Sequence, residues 1–185
     1  MARVDLYWIP LGAGSRVPVV RVCGRAYERL VAWRDRRDPA PLFHAALLLH
    51  GDDATYAVEM APVWGREPVD RGVVATGPVG AAVLGRSRMF RYEVCRWRGG
   101  RIPDLAFAVG GATTVLMGPE AVGRALRLLD EVPVHVWGRD ELGAGDMWNS
   151  NSVVAWLLAR AGADVGGLHP PGGGRAPGWS AGLVA

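Results

Sequence analysis

Lysine is missing from this 185-residue chain, and all 21 of its basic residues are arginines. With abundant alanine, glycine and valine, that reads as the codon bias of a GC-rich genome rather than selection for a polyanionic partner. The formal charge of +3 is small, and nucleic-acid binding calls for a clustered basic face. Arg34, Arg36 and Arg37 do cluster, but at the end of an expected helix, where they suit its C-terminal dipole. Nucleic acid is therefore not an expected partner. Cysteine is scarce too: Cys23 and Cys95 stand alone, without CxxC spacing or a histidine nearby in sequence. They read as reduced core residues, which argues against a disulfide framework or an activated thiol. The four histidines are scattered, with no ligand spacing, so neither a metal nor a cofactor is expected. No apolar run approaches the roughly 18 residues of a membrane span. Asp5 falls where a signal peptide would need its apolar stretch, which points to a cytoplasmic address.

What is present is a chain long enough for one domain with a real core. Val4–Ile9 and Val17–Val22 read as strands joined by a turn at Gly12-Ala13-Gly14. Gly24 to Arg37 reads as a helix with Tyr27, Leu30, Val31 and Trp33 inward, ended by Asp38-Pro39-Ala40-Pro41. Phe43–His50, Asp53–Ala61 and Ser87–Trp97 are further strands, and Gly65–Gly85 holds one or two short ones among loops. Pro119 to Glu131 forms a helix with proline in its first turn and Val122, Leu126 and Leu129 on one face. Val134–Trp137 is extended. A final helix runs from Ser150 or Asn151 to Ala161. The expected fold is α+β: residues 1–162 form a single domain with a mostly antiparallel sheet packed on a buried central helix, and residues 163–185 a Gly/Pro-rich tail ordered by docking.

That final helix is unusual. Val153-Val154-Ala155-Trp156-Leu157-Leu158-Ala159 is apolar all round, so it must be packed on most sides. Its start, Asn149-Ser150-Asn151-Ser152, is four hydrogen-bonding residues in a row. Asparagine and serine are preferred N-cap residues, and one cap explains one of the four. A polar helix start on a buried helix can also aim free backbone N–H groups into a cleft, where they would hold an anion or oxyanion. Trp148 is expected at the mouth of that cleft, and Arg139, Asp140, Glu141 and Asp146 along its approach.

A second candidate lies on the Phe43–Ala61 hairpin. A two-residue turn at Gly51-Asp52 pairs His50 with Asp53 and sets His44 opposite Glu59 on one face. A His–carboxylate pair at the end of an apolar strand pair suits a base and its orienting group. A turn at Asp52-Asp53 would instead set His44 opposite Ala61. His50 reads as a solvated turn flank, and His135 and His169 have no obvious partners.

Taken in order, a histidine opening an apolar strand, a polar residue on the next strand and a nucleophile-type residue opening a buried helix resemble the circularly permuted papain-like superfamily, the NlpC-type hydrolases and lecithin retinol acyltransferase relatives. Phe43-His44-Ala45-Ala46-Leu47-Leu48-Leu49 is similar to the family's first motif. Asn149-Ser150-Asn151-Ser152-Val153-Val154 is similar to the second, with Ser150 where the family has cysteine. It is closer still to a bacterial branch with Asn-Ser-Asn followed by Ser or Thr. The likeness spans about residues 40–162. It implies a permuted papain-like fold, His44 as base, Glu59 as orienter, Ser150 at the nucleophile position, and peptide-type or lipid substrates. A thiol at a helix start is readily held as thiolate, whereas a hydroxyl needs proton transfer to histidine.

Two functions follow. One is a non-catalytic or weakly active module binding a peptide or small acyl-type ligand in the cleft formed by Trp148, Asn149, Asn151 and Ser152, a cleft the tail at Gly178–Gly182 can fill. The other is a serine-dependent amide or ester hydrolase or acyltransferase using Ser150, His44 and Glu59.

Overall fold

The computed structural model describes residues 1–14, 19–63 and 70–185. Among them, six strands form one sheet in the order β4-β5-β3-β2-β1-β6, every neighbouring pair antiparallel. The strands are β1 (Arg3–Pro10), β2 (Phe43–His50), β3 (Thr55–Pro62), β4 (Val73–Pro78), β5 (Arg91–Arg98) and β6 (Thr113–Met117). The helices are α1 (Val19–Arg34), α2 (Pro119–Leu128), α3 (Ser150–Ala161) and α4 (Trp179–Val184). The architecture is α+β.

The core lies between one sheet face and α3. Strand alternation sends Val4, Leu6 and Trp8 of β1 and Phe43, Ala45, Leu47 and Leu49 of β2 to that face. α3 meets them with Val153, Val154, Trp156, Leu157 and Leu158, all buried. Each side chain of that size removed from water contributes about 2 kcal/mol before the entropy of ordering is subtracted. α2 packs alongside through Val122 and Ala125, and a short 3₁₀ turn at Leu129–Glu131 continues it to the expected end.

α3 begins and ends where its sequence asks. Asn149 caps the start, its side chain accepting the N–H of Asn151 at 2.8 Å, while Ser152 Oγ accepts the N–H of Asn149 at 2.9 Å, a reciprocal capping box. Gly162, at φ +92°, closes the other end.

Several expectations are corrected. The segment read as a strand at Val17–Val22 is helical from Val19 onward, and Val17 and Pro18 lie outside the described residues. The edge of β1 that this segment would have paired with is taken by β6, which the residue pattern did not reveal. A strand left without a partner cannot satisfy its backbone, whereas a helix satisfies its own. On α1 the expected stripe splits: Tyr27 and Val31 are half-buried, Leu30 is 64% and Trp33 78% exposed, and the fully buried residues are Glu28 and Ala32. Cys95 is buried as expected, but Cys23 is exposed on α1. β5 begins at Arg91, after two 3₁₀ turns over residues 82–90. Of the Gly65–Gly85 segment, residues 65–69 lie outside the described residues, as does Trp64; the remainder contains β4.

Of the two hairpin turns the sequence allows, the second sets the register. Gly51 donates to the carbonyl of Ala54 at 2.9 Å, so the turn falls at Asp52-Asp53, the alternative the sequence offered, and His50 pairs with Thr55. Centring the turn one residue later preserves which face each side chain takes but slides the partner by two. The Gly51-Asp52 turn and its His44–Glu59 pairing are thereby overturned, and the ladder from His50/Thr55 stops at Leu47/Val58. Beyond it the two strands part.

The tail is built into the body. Trp179 packs on Trp8 with ring centroids 5.1 Å apart, and Ala181 is buried. Gly178 and Gly182 allow the contact: a Cβ on Gly178 would stand 2.2 Å from Asn149 Oδ1, and one on Gly182 2.1 Å from the carbonyl of Ser152.

Candidate functional site

Where β2 and β3 part, a cavity of about 340 Å³ opens. Its walls are His44, Ala45 and Ala46 of β2, Val58 to Ala61 of β3, and Ser150, Val153 and Val154 of α3, with Ile102, Pro103 and Asp104 from the loop after β5. The alanines matter, because larger residues at 45, 46 and 61 would fill the gap. The volume lies at the lower end of the range for small-ligand sites.

His44 opens β2 and faces Asp104, its Nε2 standing 2.7 Å from Asp104 Oδ2, with both side chains about three-quarters buried. The carboxylate that engages the imidazole is therefore Asp104. With the neutral ring donating its Nε2 proton to that carboxylate, Nδ1 is left as the basic nitrogen. Glu59, expected from the hairpin to be the orienting group, lies on the wall of the same cavity and pairs in register with Cys95 of β5.

The four polar residues at the start of α3 separate into two kinds. Asn149 caps the helix and donates from Nδ2 to the carbonyl of Pro177 at 2.9 Å. Asn151, 3% exposed, accepts the N–H of Ala45 at 2.7 Å and donates to the carbonyls of Phe43 at 3.2 Å and Pro177 at 2.8 Å. Phe43 and Ala45 flank His44 in sequence, and their backbone groups point to the side β3 has vacated. The amide of Asn151 takes the place of a strand there. Ser152, fully buried, completes the capping box and donates to the carbonyl of Gly178 at 2.7 Å. All three are consumed by structure.

Ser150 is the exception. It lines the cavity, and its hydroxyl makes no hydrogen bond among the described residues. The carbonyl and side chain of Asn149 take the N–H groups of Ser152 and Asn151, leaving the N–H of Ser150 as the first-turn donor without a partner among the described residues.

The remaining expectations place residues elsewhere. Asn149, Asn151 and Ser152 do not border the cavity, and neither does Trp148, which is 1% exposed and packed edge-on to His135 at 4.8 Å. Its large apolar ring is core material, and the cavity is lined instead by Ile102–Asp104. Arg139 donates to the carbonyl of Gly80, Asp140 caps its own loop at Ala144 and Gly145, and Glu141 accepts the N–H of Val136. Asp146 accepts the N–H of Gly178 at 2.7 Å, and burial pushes its carboxyl above the ordinary value. The tail touches the back of the α3 start and does not enter the cavity. His50 is not a solvated flank: it stands 3.1 Å from buried Asp5, off the line of a good hydrogen bond, and 3.1 Å from Thr55 Oγ1. His135 has a partner in Glu141, 3.4 Å away.

Asp104 and the Ile102-Pro103 wall were not found from sequence. Asp104 lies 60 residues from His44 and shares no periodicity with it. The only local sign is a carboxylate set among apolar residues in Ile102-Pro103-Asp104-Leu105.

Among the described residues no group of three or more His, Cys, Asp or Glu is placed to hold a metal ion, and no helix is long and apolar enough to cross a membrane. Comparison of the chain with protein-family models, curated proteins and solved structures gives no significant match.

Proposed function

We propose that this chain is a serine-dependent acyl-transfer protein of permuted papain-like type, an amide or ester hydrolase or an acyltransferase, with Ser150 as nucleophile, His44 as base and Asp104 as orienting carboxylate. The observation that carries the reading is the His44–Asp104 pair at 2.7 Å on the wall of the cavity that Ser150 also lines. The roles follow from the chemistry. A serine hydroxyl becomes nucleophilic only as its proton leaves, so Nδ1 of His44 takes that proton while Oγ bonds to the acyl carbon. Asp104 holds the ring and balances the imidazolium that forms. The N–H of Ser150, at the positive end of α3, donates to the carbonyl oxygen as it gains charge. The imidazolium then gives its proton to the leaving group. Water, or an acceptor nucleophile, repeats the sequence on the acyl-serine and restores the hydroxyl.

A second reading, a binding module that holds a peptide or small acyl-type ligand without cleaving it, is favoured by one observation: Ser150 makes no hydrogen bond to His44 in this structure. Catalytic hydrogen bonds are often long before substrate binds.

Labelling with a serine-directed fluorophosphonate separates the two. The enzyme reading requires an adduct on Ser150 that is lost in Ser150→Ala and in His44→Ala. A wild-type chain that stays unlabelled leaves only the binding module.

A further inference from the structure

A second cavity, about 430 Å³, lies between α1 and the body of the domain. Arg21, Arg25 and Arg29 line its helix side, and Pro10, Leu11 and the segment Pro39–Leu42 line the other. It meets the Ser150 cavity at Ala13, which borders both. The arginines recur every fourth residue, so they stand in one row roughly 12 Å long at about 1.5 Å rise per residue. Arg21 reaches across the groove, its Nη2 donating to the carbonyl of Gly12 at 3.1 Å. That contact holds one cation at the end where the groove meets the site.

Arg25 and Arg29 are different. Both are exposed, and neither has a hydrogen bond or ion pair among the described residues. A buried guanidinium would need a partner; these two hold nothing in the fold, yet they face a walled cavity. Glu28 is the one carboxylate among the lining residues, and it is already engaged. It accepts from the guanidinium of Arg37 and from the N–H of Ala40 at 2.8 Å. Its charge is neutralised there, and the groove keeps the charge of three arginines.

A row of planar donors with an apolar far wall suits a group that offers several anionic oxygens at once. A single carboxylate occupies one guanidinium fork, whereas a phosphoryl group presents oxygens to two or more. We propose that this groove binds a phosphoryl group of the ligand whose reactive end enters the Ser150 cavity. The position of the reactive end rests on the function proposed above. The phosphoryl binding stands on the groove alone.

Inorganic pyrophosphate is the probe, titrated calorimetrically into the full chain at low ionic strength, where exposed charges are least screened. Wild type binds, Arg25→Gln and Arg29→Gln each raise Kd about tenfold, and the double variant raises it about a hundredfold, since each removes one charge-assisted contact. Neither arginine holds the fold, so unchanged melting curves accompany these losses. A double variant that binds as wild type does, or a wild type that takes up no pyrophosphate, overturns the proposal. Vesicles of phosphatidylglycerol distinguish the sources of the group. If pyrophosphate displaces the chain from them, the groove takes a lipid headgroup; if the chain ignores them but binds pyrophosphate, it takes a soluble ligand. Ser150→Ala run in parallel keeps the two proposals apart. Arginine-dependent pyrophosphate binding in a chain that fluorophosphonate never labels upholds the groove and removes the acyl-transfer reading.

Discussion

Asn151 accepts the backbone N–H of Ala45 at 2.7 Å, and through that bond the helix that carries Ser150 is tied to the strand that carries His44. The same amide donates to Phe43, so the strand is held on both sides of His44. Neither bond needs β3, which has already turned away to open the cavity. One side chain thus closes the sheet where the site requires it to be open.

Asn151→Ala should cost about 3 kcal/mol, because it strands the N–H of Ala45 and the carbonyl of Phe43 in the interior and takes one of two donors from the carbonyl of Pro177. For a domain of this size that is a fall of roughly 6–12 °C in Tm. Asn151→Asp should be as damaging, since a carboxylate accepts from Ala45 but cannot donate to either carbonyl. Thermal unfolding of the two variants decides this, and a Tm within a degree or two of wild type for both would remove the strap.

The role of Asp104 can be separated from that of Glu59 by rate. Asp104→Asn should slow fluorophosphonate labelling of Ser150 by about a hundredfold or more, because it takes the charge from behind the imidazolium. Glu59→Gln should slow it by less than about tenfold, as a change of cavity wall rather than of proton transfer. The second-order labelling rates, compared at equal folded fraction, are the measurement. Equal losses in the two variants would return the orienting role to Glu59.

Gly178→Ala and Gly182→Ala should each loosen the C-terminal segment from α3. Gly178 has φ +93°, which an alanine resists, and both new methyl groups would collide with the start of α3. A loss of about 2 kcal/mol or more is expected for each. Limited proteolysis should then cut near residue 175 before the rest of the domain opens. Protection equal to that of wild type would mean the tail tolerates a shift not visible here.

Glu28 should make stability depend on acid in a defined window. Burial works to raise its pKa, but the bonds from Arg37 and Ala40 outweigh it and hold the carboxyl below its ordinary value of 4.5. The folded chain then binds this proton less readily than the unfolded one. Its contribution is complete above the ordinary value and is lost as pH falls through the depressed one. Glu28→Gln should therefore lower stability at pH 7 by about 2 kcal/mol, and the gap from wild type should shrink towards pH 3. A gap that stays constant across that range would show that the pair is not the source.

The legible parts of the fold were those written locally. The Asn-Ser-Asn-Ser start and the Gly162 end set α3, the proline before an apolar face set α2, and the apolar run Ala45–Leu49 set β2. Each carries its own hydrogen-bond logic within a few residues. The stripe on α1 misled because arginines and apolar residues alternate around that helix, and only packing shows that Glu28 and Ala32 turn inward.

The Asn149–Ser152 motif shows where the division falls. Sequence alone determined that a buried helix starts there with more polar groups than one cap requires, because capping and apolar patterning are short-range. Which of the four faces the cavity was decided by tertiary structure: the tail claims Asn149 and Ser152, the edge of β2 claims Asn151, and Ser150 is left. The partner of His44 was decided in the same way. A turn at Asp52-Asp53 rather than Gly51-Asp52 moved Glu59 out of register, and the chain then brought Asp104 back across 60 residues to take its place. A pairing between such distant residues leaves no period in the sequence; it exists only once the sheet has formed and the loop after β5 has settled on its face.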